Sequence, residues 1–514
     1  MKNIVFLFLC ITAFSYSQNI KSTQRIKYKS LTEEAIHNQF IKDSTDFHLI
    51  KSLMIIDSSS TEEQIQSKIT MLDDFILPLS TKIDKLSNEN KIKLIYKSIH
   101  DKYLRKYKIE AFFPEIFIDG QYNCLTATAL YSYVFDKTNI PYQIKETPTH
   151  VYLIAYPNAE NIYVETTLPG EAGSFIISDK LTKESVDELV KLKLIDAQRL
   201  AEVGYSKAYE EYFYGDQNAK KTELVGIQYY NKMIIQMGQL NLDLAYQNAL
   251  KSEVYYKSQR LSFLKKSIAS HQVDNVLFTN IDNFYWFVEF ANLTDDFEFL
   301  YGKLYRIISS HYPNTTNLEK IKNSLEDVED IKLRNKLYSV YYLFHAEKEL
   351  DYQKEKTALK YAEKAYEFDS ENINSQNIIS RCVTKSMVVG NIGPSKIKEM
   401  ELMVKKYPFI EQFGTFNAYK GYVLCILISM EFSKNNSNLG NKYLNELNTL
   451  VKKHKNEIDF DHSALGAAYG EIGAFYYRQK QYNVALRLLN EGNILSPNNE
   501  QILRKIKFVK SALK

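Results

Sequence analysis

The chain has 514 residues, with 65 Lys and Arg against 62 Asp and Glu, a formal net charge of +3 and 13% aromatic residues. That length exceeds one ordinary core and predicts roughly two to four domains, while so balanced a charge gives no electrostatic reason to expect a nucleic-acid partner. Beyond the N-terminus no stretch is apolar for long enough to span a bilayer; the longest, 423–428, is soon broken by Glu431 and Lys434.

The first residues read as a secretory signal over 1–17. Lys2 supplies the positive end, 4–14 the short apolar core, and Ser15 and Ser17 the small residues ahead of a cut before Gln18. The expectation is an exported protein, periplasmic or secreted. Cys10 does not read as a lipid anchor, because Leu9 stands where a bacterial lipobox needs a small residue. The mature chain would keep Cys124, Cys382 and Cys425. Three cysteines in a large chain imply at least one free thiol, and the pattern leaves open either packed core cysteines or a Cys382–Cys425 disulfide.

Helical periodicity runs from 30 to about 113, with a capping box expected at Ser60 and Glu63. A helix expected from Asn90 buries Ile92, Ile95, Ile99 and Tyr103 on one face. The pattern breaks over 114–120, and a new helix starts at Cys124 and runs through Ala127, Leu130, Tyr131 and Val134. Strands are predicted at 142–145, 151–156 and 162–167, where β-branched and aromatic residues concentrate. Residues 157–160 read as a hairpin turn between the last two, and a Gly and Pro cluster at 169–173 closes this part of the chain. Afterwards strand signals all but vanish. The predicted organisation is an α+β domain over 18–181 followed by an all-α array over 182–514.

The helical part carries internal similarity. Residues 466–499, GAAYGEIGAFYYRQKQYNVALRLLNEGNILSPNN, are 34 long and closely resemble the tetratricopeptide repeat (TPR). Tyr469, Ile472, Gly473 and Tyr476 match its first helix, and Ala485, Leu489, Gly492 and Pro497 its second. Small residues let two helices approach while large ones fill the facing groove. A weaker unit over 339–372 places Ala358, Ala362 and Ala365 on one face, with a loop over 350–356 that reads as longer than the motif's. A third, 224–259, has Ala245 and Ala249 in the small positions and Tyr229 and Met233 on its first helix. The stretches 278–310 and 396–456 look like degenerate pairs. The resemblance implies a solenoid that offers a concave face to a protein or peptide partner.

The block 120–167 holds Cys124 at a helix start, His150 at a strand start and Glu165 on the next strand. A helix N-terminus aims unpaired N–H groups and positive dipole at the sulfur, which favours the thiolate. In an antiparallel hairpin, opposed residues have numbers of constant sum. An even-length loop makes that sum odd and puts His150 and Glu165 on one face. A carboxylate there takes the proton on one imidazole nitrogen and leaves the other to face the thiol.

With YNCLTATALY, THVYLIAY and YVETT, the block from about 91 to 167 resembles the transglutaminase-like superfamily, which has a papain-like Cys–His–Asp core. The resemblance implies Cys124 as nucleophile, His150 as base and Glu165 as orienting acid, with Glu standing where the family usually has Asp. Gln121 is a candidate to hold an oxyanion. The implied activity is thiol-dependent acyl transfer or amide hydrolysis on a TPR scaffold. The alternative is a non-catalytic interaction protein with a retired enzyme domain, since the superfamily also includes members thought to bind rather than cleave. No cofactor is expected, and no metal: the 9 histidines lack ligand spacing, no Cys-x-x-Cys occurs, and 390–396 lacks a phosphate-loop pattern.

Overall fold

The computed structural model describes residues 25–57, 59–146, 150–164, 166, 179–191, 194–213, 218–454 and 458–513. The expected signal over 1–17 and the 169–173 cluster lie outside them. The chain is predominantly helical and divides into two compact units, Met1–Val276 and Leu277–Lys514.

The first unit opens with α1 (Leu31–Lys42), α2 (Leu49–Met54), α3 (Glu62–Ile83) and α4 (Asn88–Lys102). The box on α3 falls one residue later than Ser60 and Glu63 suggested. The Thr61 hydroxyl accepts from Gln64 N at 3.3 Å, and Gln64 Oε1 accepts from Thr61 N at 3.0 Å. α4 begins at Asn88 after Ser87, and Ile92, Ile95, Ile99 and Tyr103 are buried as its periodicity requires. Next come β1 (Lys106–Tyr107), β2 (Gln121–Tyr122), α5 (Cys124–Lys137), β3 (Tyr142–Glu146), β4 (Val151–Ala155) and β5 (Ile162–Val164). After α6 (Asp179–Lys191) and α7 (Ala197–Phe213) the chain adds β6 (Asn218–Ala219), α8 (Lys221–Gly238), α9 (Leu242–Tyr255) and α10 (Gln259–Asn275).

β1 and β2 pair in parallel, and the small antiparallel sheet has the order β5-β4-β3-β6. The turn between β4 and β5 closes where Tyr156 O accepts from Ala159 N at 2.9 Å and Asn161 N at 3.0 Å. β6 carried no strand signal; two residues are too few for a pattern. The unit reaches past the 181/182 division drawn from the sequence because α8 shares a core with the sheet. Leu224, Val225, Ile227 and Tyr229 pack in one cluster with Ile50, Leu72, Ile95, Tyr131 and Leu153. Buried Gln228 ties the same helix in, accepting from Phe113 N at 2.8 Å and donating to Leu53 O at 3.0 Å.

The second unit runs through α11 (Phe284–Ala291), α12 (Phe297–His311), α13 (Thr315–Ser324), α14 (Ile331–Asp351), α15 (Glu355–Phe368), α16 (Ile373–Val388) and α17 (Pro394–Lys406). It ends with α18 (Gly414–Ser433), α19 (Ser437–His454), α20 (His462–Arg478), α21 (Tyr482–Leu495) and α22 (Glu500–Ala512). Among the described residues no helix is long and apolar enough to cross a membrane.

Four helix pairs share one connector. Between α8 and α9, α14 and α15, α18 and α19, and α20 and α21, the turn is three residues, and its middle residue is left-handed: Leu240 (φ 59), Gln353 (φ 58), Asn435 (φ 63) and Lys480 (φ 58). The next N–H closes onto a carbonyl in the last turn of the first helix: Asn241 to Gln236, Lys354 to Glu349, Asn436 to Glu431 and Gln481 to Tyr476, at 2.8–2.9 Å. This six-to-one closure satisfies carbonyls that a helix end leaves unpaired. The loop expected to be long at 350–356 is therefore ordinary, because α14 continues to Asp351. Five residues beyond the left-handed position each pair buries a small side chain or none: Ala245, Ala358, Gly440 and Ala485.

The degenerate stretch 396–456 contains the α18–α19 pair, whereas 278–310 holds α11 and α12, whose connector has no residue at positive φ. In α20–α21 the contact distances explain the two glycines. A Cβ on Gly473 would stand 2.6 Å from the Leu489 side chain, and one on Gly492 would stand 2.5 Å from Tyr469. Ala485 is fully buried and Asn483 is exposed. Ala485→Leu should therefore lower stability by about 1–3 kcal/mol through overpacking, while Asn483→Leu changes it little. Equal thermal unfolding midpoints for the two variants would show that Ala485 is not in a tight helix contact.

Candidate functional site

α5 is buried all round from Cys124 to Phe135, so its polar groups need internal partners. Asn123 caps it and is only 2% exposed. Its Oδ1 accepts from Thr126 N at 3.0 Å, and Asn123 N donates to Thr126 Oγ1 at 2.9 Å. Its Nδ2 donates to Ile109 O at 2.8 Å and Ala111 O at 2.9 Å. Every polar atom of that side chain is used, which fixes where the helix begins. Cys124 follows as the first helical residue at 8% exposure, so the thiol is more closed off than a half-exposed helix start would leave it.

One helical turn on, the Thr128 hydroxyl sits 3.0 Å from Val151 O and 3.3 Å from Thr166 Oγ1. Thr166 Oγ1 in turn lies 3.4 Å from Cys124 O. These groups are fully buried neighbours of the three predicted site residues: Val151 follows His150, and Thr166 follows Glu165. A hydrogen-bonded knot thus ties the helix start to the beginning of β4 and the end of β5. Neither threonine was singled out from the sequence. The signal available was the run of hydroxyls through a largely apolar helix, Thr126, Thr128 and Ser132, which need buried acceptors once the helix is enclosed.

His150 stands one residue before β4 and is half-buried, its ring stacked on Tyr152 with centroids 5.9 Å apart and planes 17° from parallel. Along β4, Val151, Leu153 and Ala155 are buried and Tyr152 and Ile154 half-buried, as alternation requires. β4 pairs with β5 as Leu153 with Val164, Ile154 with Tyr163 and Ala155 with Ile162, and every pair has an odd sum. Glu165 itself, and Thr167, lie outside the described residues. Gln121, on β2, directs its Nε2 to the Asp119 carboxylate, while its Oε1 is buried with no hydrogen-bond partner among the described residues. An oxyanion role would require that amide to leave Asp119.

The remaining cysteines, Cys382 and Cys425, are free and buried, so the open choice resolves to core thiols without a disulfide. Burial pushes the Cys382 thiol up to about 11 and Cys425 up to about 12. No group of His, Cys, Asp and Glu able to hold a metal occurs among the described residues.

In the second unit a groove of about 540 Å³ runs along α18 and α19. Lys420, Lys442 and Lys453 line it together with Glu411 and Glu446, and Asn417, Asn445 and Thr449 add uncharged polar groups. Lys420 is paired with Glu411 at 3.0 Å.

No family model matches the chain, and no curated protein matches it. Among solved structures it is similar to one described as the crystal structure of an APC/C hetero-tetramer, Cut9–Hcn1. The identity is 12%, with 90% of this chain and 92% of that chain covered and a TM-score of 0.19. A superposition that weak places no element and no residue. The helical-hairpin class rests on the connectors and close contacts described above.

Proposed function

We propose that this protein is an exported interaction scaffold built of TPR-like hairpins. The observation that carries the reading is the α18–α19 groove, where Lys442 and Lys453 make no ion pair among the described residues and, beside the single further carboxylate of Glu446, leave a net positive lining for an acidic protein segment. Recovery of bound protein from the native source should be equal for the wild-type chain and Cys124→Ala. It should be lost in Lys442→Glu combined with Lys453→Glu. Retention by all three chains would sink the groove, and loss from Cys124→Ala would favour a chemical role for the thiol. Export over 1–17 belongs to the same proposal and is read by N-terminal sequencing of the mature chain.

A second reading is supported by the Thr128 knot: the segment 91–167 is a transglutaminase-like thiol site. In it Cys124 as thiolate attacks an amide carbonyl, the amine leaves with a proton from His150, and a thioester remains. Water then gives the acid, or a second amine gives a cross-link, and the thiol is restored. Glu165 would hold the His150 ring. This reading differs from the first in requiring a reactive Cys124.

A further inference from the structure

The end of the β3–β4 hairpin that carries His150 is fastened by three helices. Glu146, the last residue of β3, pairs with Val151, directly after His150. Its Oε1 accepts from the Tyr256 hydroxyl at 2.8 Å and from Arg260 Nη2 at 3.1 Å, and that same Nη2 lies 3.1 Å from the Tyr256 oxygen. The guanidinium rests 4.1 Å from the centre of the Tyr230 ring. The side chains of Arg260 and Glu146 are only 6% and 14% exposed. Tyr230 belongs to α8, Tyr256 is the C-cap of α9 and Arg260 lies in the first turn of α10, so the three helices converge on one carboxylate. Tyr256 is itself seated on Gly226, where a Cβ would stand 2.2 Å from the Tyr256 Cβ. β6, just ahead of α8, adds a second attachment to the same strand through Ala219 opposite Ile144.

A buried ion pair is a poor source of net stability, because desolvation offsets the attraction. What it supplies is direction: the carboxylate has one low-energy position, and the strand end goes with it. We propose that Arg260, Glu146 and Tyr256 are positioning residues that hold the His150 end of the β3–β4 hairpin against the start of α5. The inference rests on the thiol-site reading of Cys124.

The test is the pH profile of Cys124 alkylation in the full chain, with folding checked by circular dichroism. Arg260→Met should slow labelling at pH 6 by about tenfold and move the profile toward that of an ordinary thiol, whose pKa is about 8.5. Arg260→Lys, which keeps the charge, should restore part of the rate. If Arg260→Met does not fold, Glu146→Gln, which keeps an acceptor for Tyr256, is read in its place. Folded clamp variants with the wild-type profile, in a chain whose Cys124 depends on His150, would overturn the clamp alone. A wild-type Cys124 no faster than an ordinary thiol, or indifferent to His150→Ala, would overturn the thiol site itself.

Discussion

Glu33→Ala should cost about 3–5 kcal/mol of folding free energy, the range for removing one partner of a buried ion pair, whereas the adjacent Glu34→Ala should change stability by no more than about 0.5 kcal/mol. Glu33 Oε1 lies 2.8 Å from Lys251 Nζ, and both side chains are 3% exposed. The same oxygen accepts from the Tyr229 hydroxyl at 3.0 Å, and Oε2 accepts from Lys29 N at 2.7 Å. Losing the carboxylate strands the buried Lys251 ammonium and leaves the Tyr229 hydroxyl with His37 alone, whereas Glu34 is exposed. Urea denaturation of the three proteins decides it, and similar midpoints for both variants would show that Glu33 is not buried in that pair.

The same cluster shapes the acid limb of stability. His37 is fully buried with Nε2 3.1 Å from the Tyr229 oxygen. Burial, and then the Lys251 charge, push its pKa down from 6.5 to about 3. The unfolded chain therefore binds the proton first, and stability falls as pH drops from about 6.5 toward 3. The His37 contribution reaches at most about 1.4 kcal/mol per pH unit.

The other large effect is chemical selectivity. A small alkylating reagent at pH 6–7 should modify Cys124 at least tenfold faster than Cys382 or Cys425 in the native chain. Thiols raised to about 11 and about 12 hold roughly two to three orders of magnitude less thiolate than an ordinary cysteine, and both are 3% exposed or less. Cys124 has instead the capped N-terminus of α5 beside it. His150→Ala should slow its labelling at pH 6, and Glu165→Gln should slow it less, since that change disturbs the ring's orientation rather than removing it. Equal labelling of the three cysteines, measured by peptide mapping before and after unfolding, would leave Cys124 a packed bystander.

Much of the local structure was legible in the sequence because its causes are local. The period of Ile92, Ile95 and Ile99 set the buried face of α4, and the break at 114–120 preceded a helix that does start at Cys124. The small residues Gly473 and Gly492 marked close helix contacts of the α20–α21 pair, because a contact that close admits no larger side chain. Turn parity likewise set the β4–β5 register once the loop length was even.

What the tertiary structure alone decided depends on partners far apart in the chain. Glu33 looks like an ordinary first-turn acid until Lys251 and Tyr229 enclose it. Thr128 needs Val151 and Thr166, and Glu146 needs Tyr256 and Arg260 from helices more than a hundred residues later. The α8–α9 pair carries the same small-residue signature as its counterparts in the second unit, yet it is built into the core of the first. A repeat pattern specifies how two helices meet each other, but the surface that their outer faces cover is fixed only when the rest of the chain has folded against them.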